Sequence, residues 1–392
     1  MFFNSRIFSF VLFFLLAFSG CFFKNHNLLK NTRKAAENNV VENNYSRIYN
    51  CSNPYCFYKH FTGKLKSGKS INLNLERFEN KISGNYFYQN SDENYTFEGD
   101  IDISNKFVIN TYNSIGISTE TISGTILNDS TLKLIIKIQK TESKEEVILN
   151  EDYTESLEFY RFKKERTIYL IENDSSMFCS IDFNYLQPAE NYLIETKTII
   201  DKSFFGDKLL NHNSSNKLDT LISEIVNDYK KLNTGKNFDT ELSPLYTWNY
   251  MSDMKIIYNN NNILSYAIYN YEFTGGAHGS SLTILKNIDI KTQNEILLED
   301  IFIENYENKL LEKILQSLVM KFNVNTFVDL NEYLFDYESV TITNNFYLDS
   351  SGICFVYNQY EIAPYSSGQI YAYIDYSDIS DILKNNFALI NN

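Results

Sequence analysis

The 392-residue chain carries 35 Lys+Arg against 49 Asp+Glu, a formal net charge of −14. Such a surface repels nucleic acid and favours cationic partners or simple solubility. Hydrophobic residues at 43% and charged residues at 21% are an ordinary globular balance that excludes wholesale disorder, and the length allows two or three domains with their own cores.

Residues 1–21 begin with one positive charge, Arg6, followed by an uncharged apolar run from Ile7 to Phe18, then Ser19, Gly20 and Cys21. That is the layout of a secretory signal peptide over 1–20, too short to span a membrane as a helix. Phe18-Ser19-Gly20-Cys21 resembles the lipobox of bacterial lipoproteins, although Phe18 stands where that pattern usually has Leu. The resemblance implies acylation of Cys21 and an exported chain held on the cell envelope. In an organism with two membranes that means the outer membrane or the cell surface. Acyl chains anchor at about 0.8 kcal/mol per buried CH₂. Residues 21–50, rich in Asn, Lys and Glu, read as a lipid-anchored flexible tether with a span of roughly 30 Å.

The 30 Tyr and 30 Phe accompany abundant Asn, Ile and Lys, all with AT-rich codons, so the aromatic excess is not in itself a ligand platform. Cys51 and Cys56 flank a turn-forming Asn53-Pro54 and could close a local disulfide. That leaves Cys179 and Cys354 as a long-range bridge or as buried thiols. The four histidines (His26, His60, His212, His278) are scattered and no Cys or His pair has finger-like spacing, so neither metal nor cofactor is expected.

Residues 51–164 read as a β-meander. Ile71, Leu73 and Leu75 alternate with polar residues, and turn signals at Lys66-Ser67-Gly68, Glu79-Asn80-Lys81 and Asn128-Asp129-Ser130 separate short runs. An apolar-x-Gly repeat recurs at Gly63, Gly84, Gly99 and Gly124, which predicts bulges or bends where a sheet curls into a barrel or sandwich.

The remainder, divided at 165–245 and 246–392, is mixed, so the expected class is α+β. Strand-like runs fall at 167–171 and 192–200. Leu218, Leu221, Ile222, Ile225, Val226 and Tyr229 predict an amphipathic helix over 217–232, and Leu310, Leu311, Ile314, Leu315, Leu318 and Phe322 predict another over 306–322. Strands are expected at 264–273, 281–289, 344–348, 353–357 and 369–375, with Asp349-Ser350-Ser351-Gly352 as a hairpin turn.

The clearest local feature is Thr274-Gly275-Gly276-Ala277-His278-Gly279 between two strand patterns. Three glycines in five residues permit positive φ and close backbone approach, but no helix start follows, so a phosphate loop is excluded. The bland reading is a tight connection with His278 in one structural hydrogen bond; the functional one is a binding surface.

This motif after an aromatic strand resembles the extracellular C-terminal domain of the anti-sigma factor RsiV, a domain family of unknown function. Three further segments match in order: Asp289–Phe302, Asn345–Tyr357, and Tyr360-Glu361-Ile362-Ala363-Pro364-Tyr365-Ser366-Ser367-Gly368. Residues 165–245 resemble, more weakly, the region that precedes this domain in RsiV and in PdaC-type peptidoglycan deacetylases. The resemblance implies recognition of a protein, lysozyme in the characterised relative, or of a cell-wall glycan. Thr274, Gly275, Gly276, Ala277, His278, Gly279, Tyr360, Glu361, Pro364 and Tyr365 are the binding candidates. With the whole chain after residue 20 read as exported, direct anti-sigma signalling is not expected. Two rivals stand beside the binder: an envelope hydrolase using His278 and Glu361 as an acid–base pair, and a purely structural surface lipoprotein. The segments 274–279 and 360–368 are expected to lie together.

Overall fold

A computed structural model describes residues 45–49, 55–89, 94–113, 116–171, 174–189, 193–207, 214–233 and 240–387. The expected signal peptide 1–20, Cys21, most of the tether, Cys51, His26 and His212 lie outside the described residues. Part of the stretch read as tether is a strand: β1 (Tyr45–Tyr49) pairs antiparallel with residues 163–167.

Eight antiparallel strands then close a barrel: β2 (Cys56–Lys64), β3 (Ser70–Phe78), β4 (Lys81–Tyr88), β5 (Asn94–Asp100), β6 (Lys106–Asn113), β7 (Glu120–Asn128), β8 (Thr131–Ile138) and β9 (Lys144–Glu151). Phe61, Leu73, Tyr86, Phe97, Leu134 and Leu149 are buried within one cluster, the filling expected of an eight-stranded barrel. The glycine repeat has a different cause from the bulges expected of it. Pairing runs unbroken through Gly84, which faces Phe97, and Gly124, which faces Phe107. A Cβ on Gly84 would meet the Phe97 ring at 2.7 Å, and one on Gly124 the Phe107 ring at 2.0 Å. Gly84 and Gly124 make room for aromatic rings directly across the ladder, while Gly63 and Gly99 make room for Leu149 and Ile109.

The chain continues into a seven-stranded sheet with order β1-β10-β11-β12-β13-β14-β15, formed with β10 (Phe159–Ile171), β11 (Asp174–Pro188), β12 (Trp248–Asn260), β13 (Ile263–Phe273), β14 (Ser280–Asp289) and β15 (Asn294–Glu295). The expected segment end at 164 therefore falls inside β10. Among the described residues only the β11–β12 pair is parallel, and its crossover includes the helices α1 (Ile194–Phe205) and α2 (Ser214–Asn233). The strand expected over 192–200 is α1 instead. Thr196, Ile200, Asp201, Phe204 and Phe205 are its buried positions, a helical spacing hidden from an apolar count because Thr196 and Asp201 occupy two of them. Asp201 of α1 is buried against Lys217 of α2 and the Tyr185 hydroxyl of β11, a fully enclosed ion pair with its remaining oxygen satisfied.

A three-stranded sheet of β16 (Phe346–Leu348), β17 (Gly352–Tyr357) and β18 (Ile370–Asp375) packs next, and helix α3 (Glu307–Phe322) covers it. β17 is buried at every residue: Ile353 and Phe355 join the α3 core, while Cys354 and Val356 meet Leu285 and Ala267 of the large sheet. Burial on both faces is why 353–357 reads as an uninterrupted apolar run. The result is α+β, dominated by sheets.

Cys56 is disulfide-bonded, with its partner outside the described residues. Cys179 and Cys354 are free and buried, so the long-range bridge does not form. Each sits in a packed core, and burial pushes both thiols up to about 12.

Side-chain amides join barrel to sheet. Asn85 donates to the Ile256 carbonyl at 2.8 Å, and Asn259 donates to the Tyr58 hydroxyl at 2.8 Å. At the β16–β17 turn, Asp349 Oδ1 accepts from the amides of Ser351 and Gly352 and from the Tyr373 hydroxyl, at 2.9, 2.9 and 2.8 Å. Burial nonetheless raises its carboxyl from 3.8 to about 6. A raised folded-state value means the neutral acid is the better tolerated form. The stability from this group is complete below about pH 4 and is lost as pH rises through 6. We expect Asp349→Asn to gain on the wild type by on the order of 3 kcal/mol between pH 4 and pH 7.5 in denaturant unfolding. Parallel pH profiles for the two proteins would contradict this.

Candidate functional site

The loop 274–279 joins β13 to β14. Gly275 and Gly276 have φ of +93° and +112°, a region that L side chains resist. A Cβ at Gly275 would also stand 2.7 Å from the Leu245 carbonyl oxygen. Gly279 has no such φ, but a Cβ there would meet the Tyr271 ring at 2.5 Å. The loop is thereby packed tightly against Leu245 and against Tyr271 of its own hairpin, leaving Thr274, Ala277 and His278 exposed.

A strap, residues 358–369, connects β17 to β18 and lies against this loop. Asn358 holds its start: Oδ1 accepts from the Thr283 amide at 2.8 Å, and Nδ2 donates to the Thr283 carbonyl at 3.1 Å. Gln369 holds its end, donating to Thr283 Oγ1 at 2.6 Å and to Asn358 Oδ1 at 3.0 Å. Between them, Ser281 donates to Gln359 Oε1 at 2.5 Å. Pro364 leads into a short turn, Tyr365–Ser367, closed by Gly368 at φ +67°.

The two segments meet at three aromatic rings. His278 stacks on Tyr365 with centroids 4.1 Å apart and planes 26° apart, and Tyr360 follows at 5.6 Å from Tyr365. The Gly279 carbonyl accepts from the Tyr365 hydroxyl at 2.7 Å and lies 2.9 Å from His278 Nδ1. Tyr360 is 59% exposed, yet its φ is +69°, which costs a bulky residue roughly 1–2 kcal/mol. Phe335, 56% exposed, adjoins the strap through its amide, which donates to the Ile362 carbonyl.

Glu361 is exposed and receives a 3.4 Å hydrogen bond from Asn358. Among the described residues no hydrogen bond or ion pair joins it to His278. His60 is buried in the barrel against Asn74, and burial lowers its pKa. Among the described residues no three His, Cys, Asp or Glu side chains gather into a metal-holding group. A shallow depression of about 160 Å³ lies elsewhere, on the barrel wall between Val108, Ser123 and Ile135. The loop and strap therefore present a surface of ring faces.

Sequence reading missed Asn358, Gln359, Gln369 and Phe335. The signal for the first three was polar amides immediately flanking two buried strands. Charge is also one-sided here: residues 256–285 and 323–383 contain no lysine or arginine, and the latter stretch holds nine carboxylates.

A family model described as a protein of unknown function, DUF3298, matches residues 299–377, and one described as deacetylase PdaC matches residues 190–281. A solved member of the DUF3298 family from Bacteroides fragilis is similar at 24% identity and a TM-score of 0.53, over 61% of this chain and 98% of that one. A DUF3298 family protein from Pseudomonas aeruginosa is similar at 14% identity with a TM-score of 0.44, over 59% and 96%. No curated protein matches the chain.

Asn tolerates the left-handed region, so Tyr360→Asn is expected to raise the unfolding free energy by about 0.5–1 kcal/mol. A loss of stability in thermal or denaturant unfolding would mean that packing of the Tyr360 ring outweighs its backbone strain.

Proposed function

We propose that the chain is a lipid-anchored binding protein of the cell envelope, of the RsiV-like kind, whose loop 274–279 and strap recognise a protein or glycan. The observation that carries this reading is Tyr360: a large aromatic residue held in a strained backbone conformation and turned to solvent beside two stacked rings. Strain kept for an exposed side chain points to use of that side chain, and Tyr is among the residues that dominate binding energy at interfaces. The lysine-free, carboxylate-rich stretch favours a basic protein such as a lysozyme over an acidic one. Export and attachment through Cys21 rest on the sequence pattern of residues 1–21. A binder is preferred to a hydrolase because His278 and Glu361 are each engaged with neighbours other than one another.

Titration calorimetry with lysozymes and with soluble peptidoglycan fragments tests the binding claim. Micromolar affinity is expected for one class, weakened at least about tenfold by Tyr365→Ala. Absence of heat with both classes would overturn the reading. Mass spectrometry of the mature N-terminus tests the anchor: an acylated Cys21 is expected, and an unmodified one would refute it.

A further inference from the structure

Resting on the binding reading above, we infer that His278, Tyr365 and Tyr360 form a subsite for a cationic side chain, a guanidinium or ammonium group, that accepts it only while His278 is neutral. The Gly279 carbonyl lies 2.9 Å from His278 Nδ1 and 2.7 Å from the Tyr365 hydroxyl. A carbonyl oxygen only accepts, so both partners donate to it and both of its lone pairs are occupied. Nδ1 therefore carries the proton, and in the neutral ring Nε2 is a bare acceptor. His278 is exposed, and its stacking on Tyr365 fixes the orientation of that acceptor.

What the surface offers a ligand is thus an oriented nitrogen lone pair, the ring of Tyr360 (59% exposed) and the exposed Glu361 carboxylate. Neither contributing segment supplies a competing cation, since residues 256–285 and 323–383 have no Lys or Arg. A ligand group that satisfies acceptors, a carboxylate and π faces together must bring N–H donors and positive charge, and a guanidinium stacked over tyrosine does this best. The Tyr365 phenol stacks on the imidazole, Tyr360 lies beyond Tyr365, and Tyr271 packs at Gly279; the carboxylates of the two segments are Glu361, beside Asn358, and Glu272, which accepts from the Tyr250 hydroxyl. Protonation would convert Nε2 into a donor and set a positive charge against the ligand.

The test uses the full chain and a fluorescent hexa-arginine peptide, with a neutral chito-oligosaccharide as the comparison ligand. Anisotropy titrations at about pH 8 and pH 5.5 should show peptide affinity falling about tenfold or more on acidification. His278→Gln keeps an acceptor that does not protonate, so it should bind at both pH values. Tyr365→Ala, which leaves net charge unchanged, should bind poorly at both. Equal binding by wild type and Tyr365→Ala would assign the peptide to bulk charge and overturn the subsite. So would wild-type binding indifferent to pH, or an acid loss retained by His278→Gln. Oligosaccharide binding without peptide binding would overturn the cation subsite while leaving the binding reading intact, whereas calorimetric silence toward both lysozyme and glycan sinks the reading itself.

Discussion

Much of the C-terminal architecture depends on how the free edge of β14 is closed. β15 covers only Ile288 and Asp289, so the N-terminal part of β14 would end the large sheet with bare backbone groups, a template for unwanted pairing. Two side-chain amides take the place of the missing strand. Asn358 pairs with both the amide and the carbonyl of Thr283, and Asn345 donates to the same carbonyl while accepting from the Leu285 amide. Each bond contributes about 1 kcal/mol net, but leaving such buried groups unsatisfied costs about 1–3 kcal/mol apiece. The same two residues flank the β16–β17 hairpin, so closing the edge also fixes the small sheet on the large one.

The consequence for the site is positional. With Asn358 held on Thr283 and Gln369 on Thr283 Oγ1, the strap is pinned at both ends to the strand that follows the glycine loop. Tyr365 can then reach the Gly279 carbonyl from the other side. The barrel is fixed in a comparable way. The Asn74 amide bonds Asn85, which donates to the Ile256 carbonyl, while Asn74 Oδ1 receives the Tyr58 hydroxyl that Asn259 in turn supports. A buried network satisfied at each of these positions specifies one arrangement of barrel against sheet.

Which parts of this were readable beforehand follows from the range of the interactions. Alternation at Ile71, Leu73 and Leu75 and helical spacing at Leu218–Tyr229 report local periodicity, and both elements form where that periodicity places them. α1 escaped because Thr196 sits at a buried helical position, where an apolar count sees a gap. The barrel glycines were visible but their cause was not, since Gly84 and Phe97 meet only across a ladder. Loop and strap were each recognisable as motifs. What joins them is an amide 75 residues from its partner backbone, and no spacing rule reaches that far. The left-handed Tyr360 was equally hidden, because nothing about tyrosine announces it.

Rigid edges, a tight glycine loop and a strained tyrosine make one physical whole. A surface built from ring faces orients a ligand through the fixed directions of the rings themselves. Here His278 is held through Nδ1 and its stacked face, and Tyr365 through its hydroxyl. Little rotamer entropy then remains to be lost when a partner arrives. Tyr360 completes the row only by adopting a backbone conformation that the fold must hold against its preference. The amides on Thr283 oppose that preference by pinning both ends of the strap. Stability drawn from the sheet edge thus maintains strain at the exposed end of the strap, where a preorganised binding surface needs it.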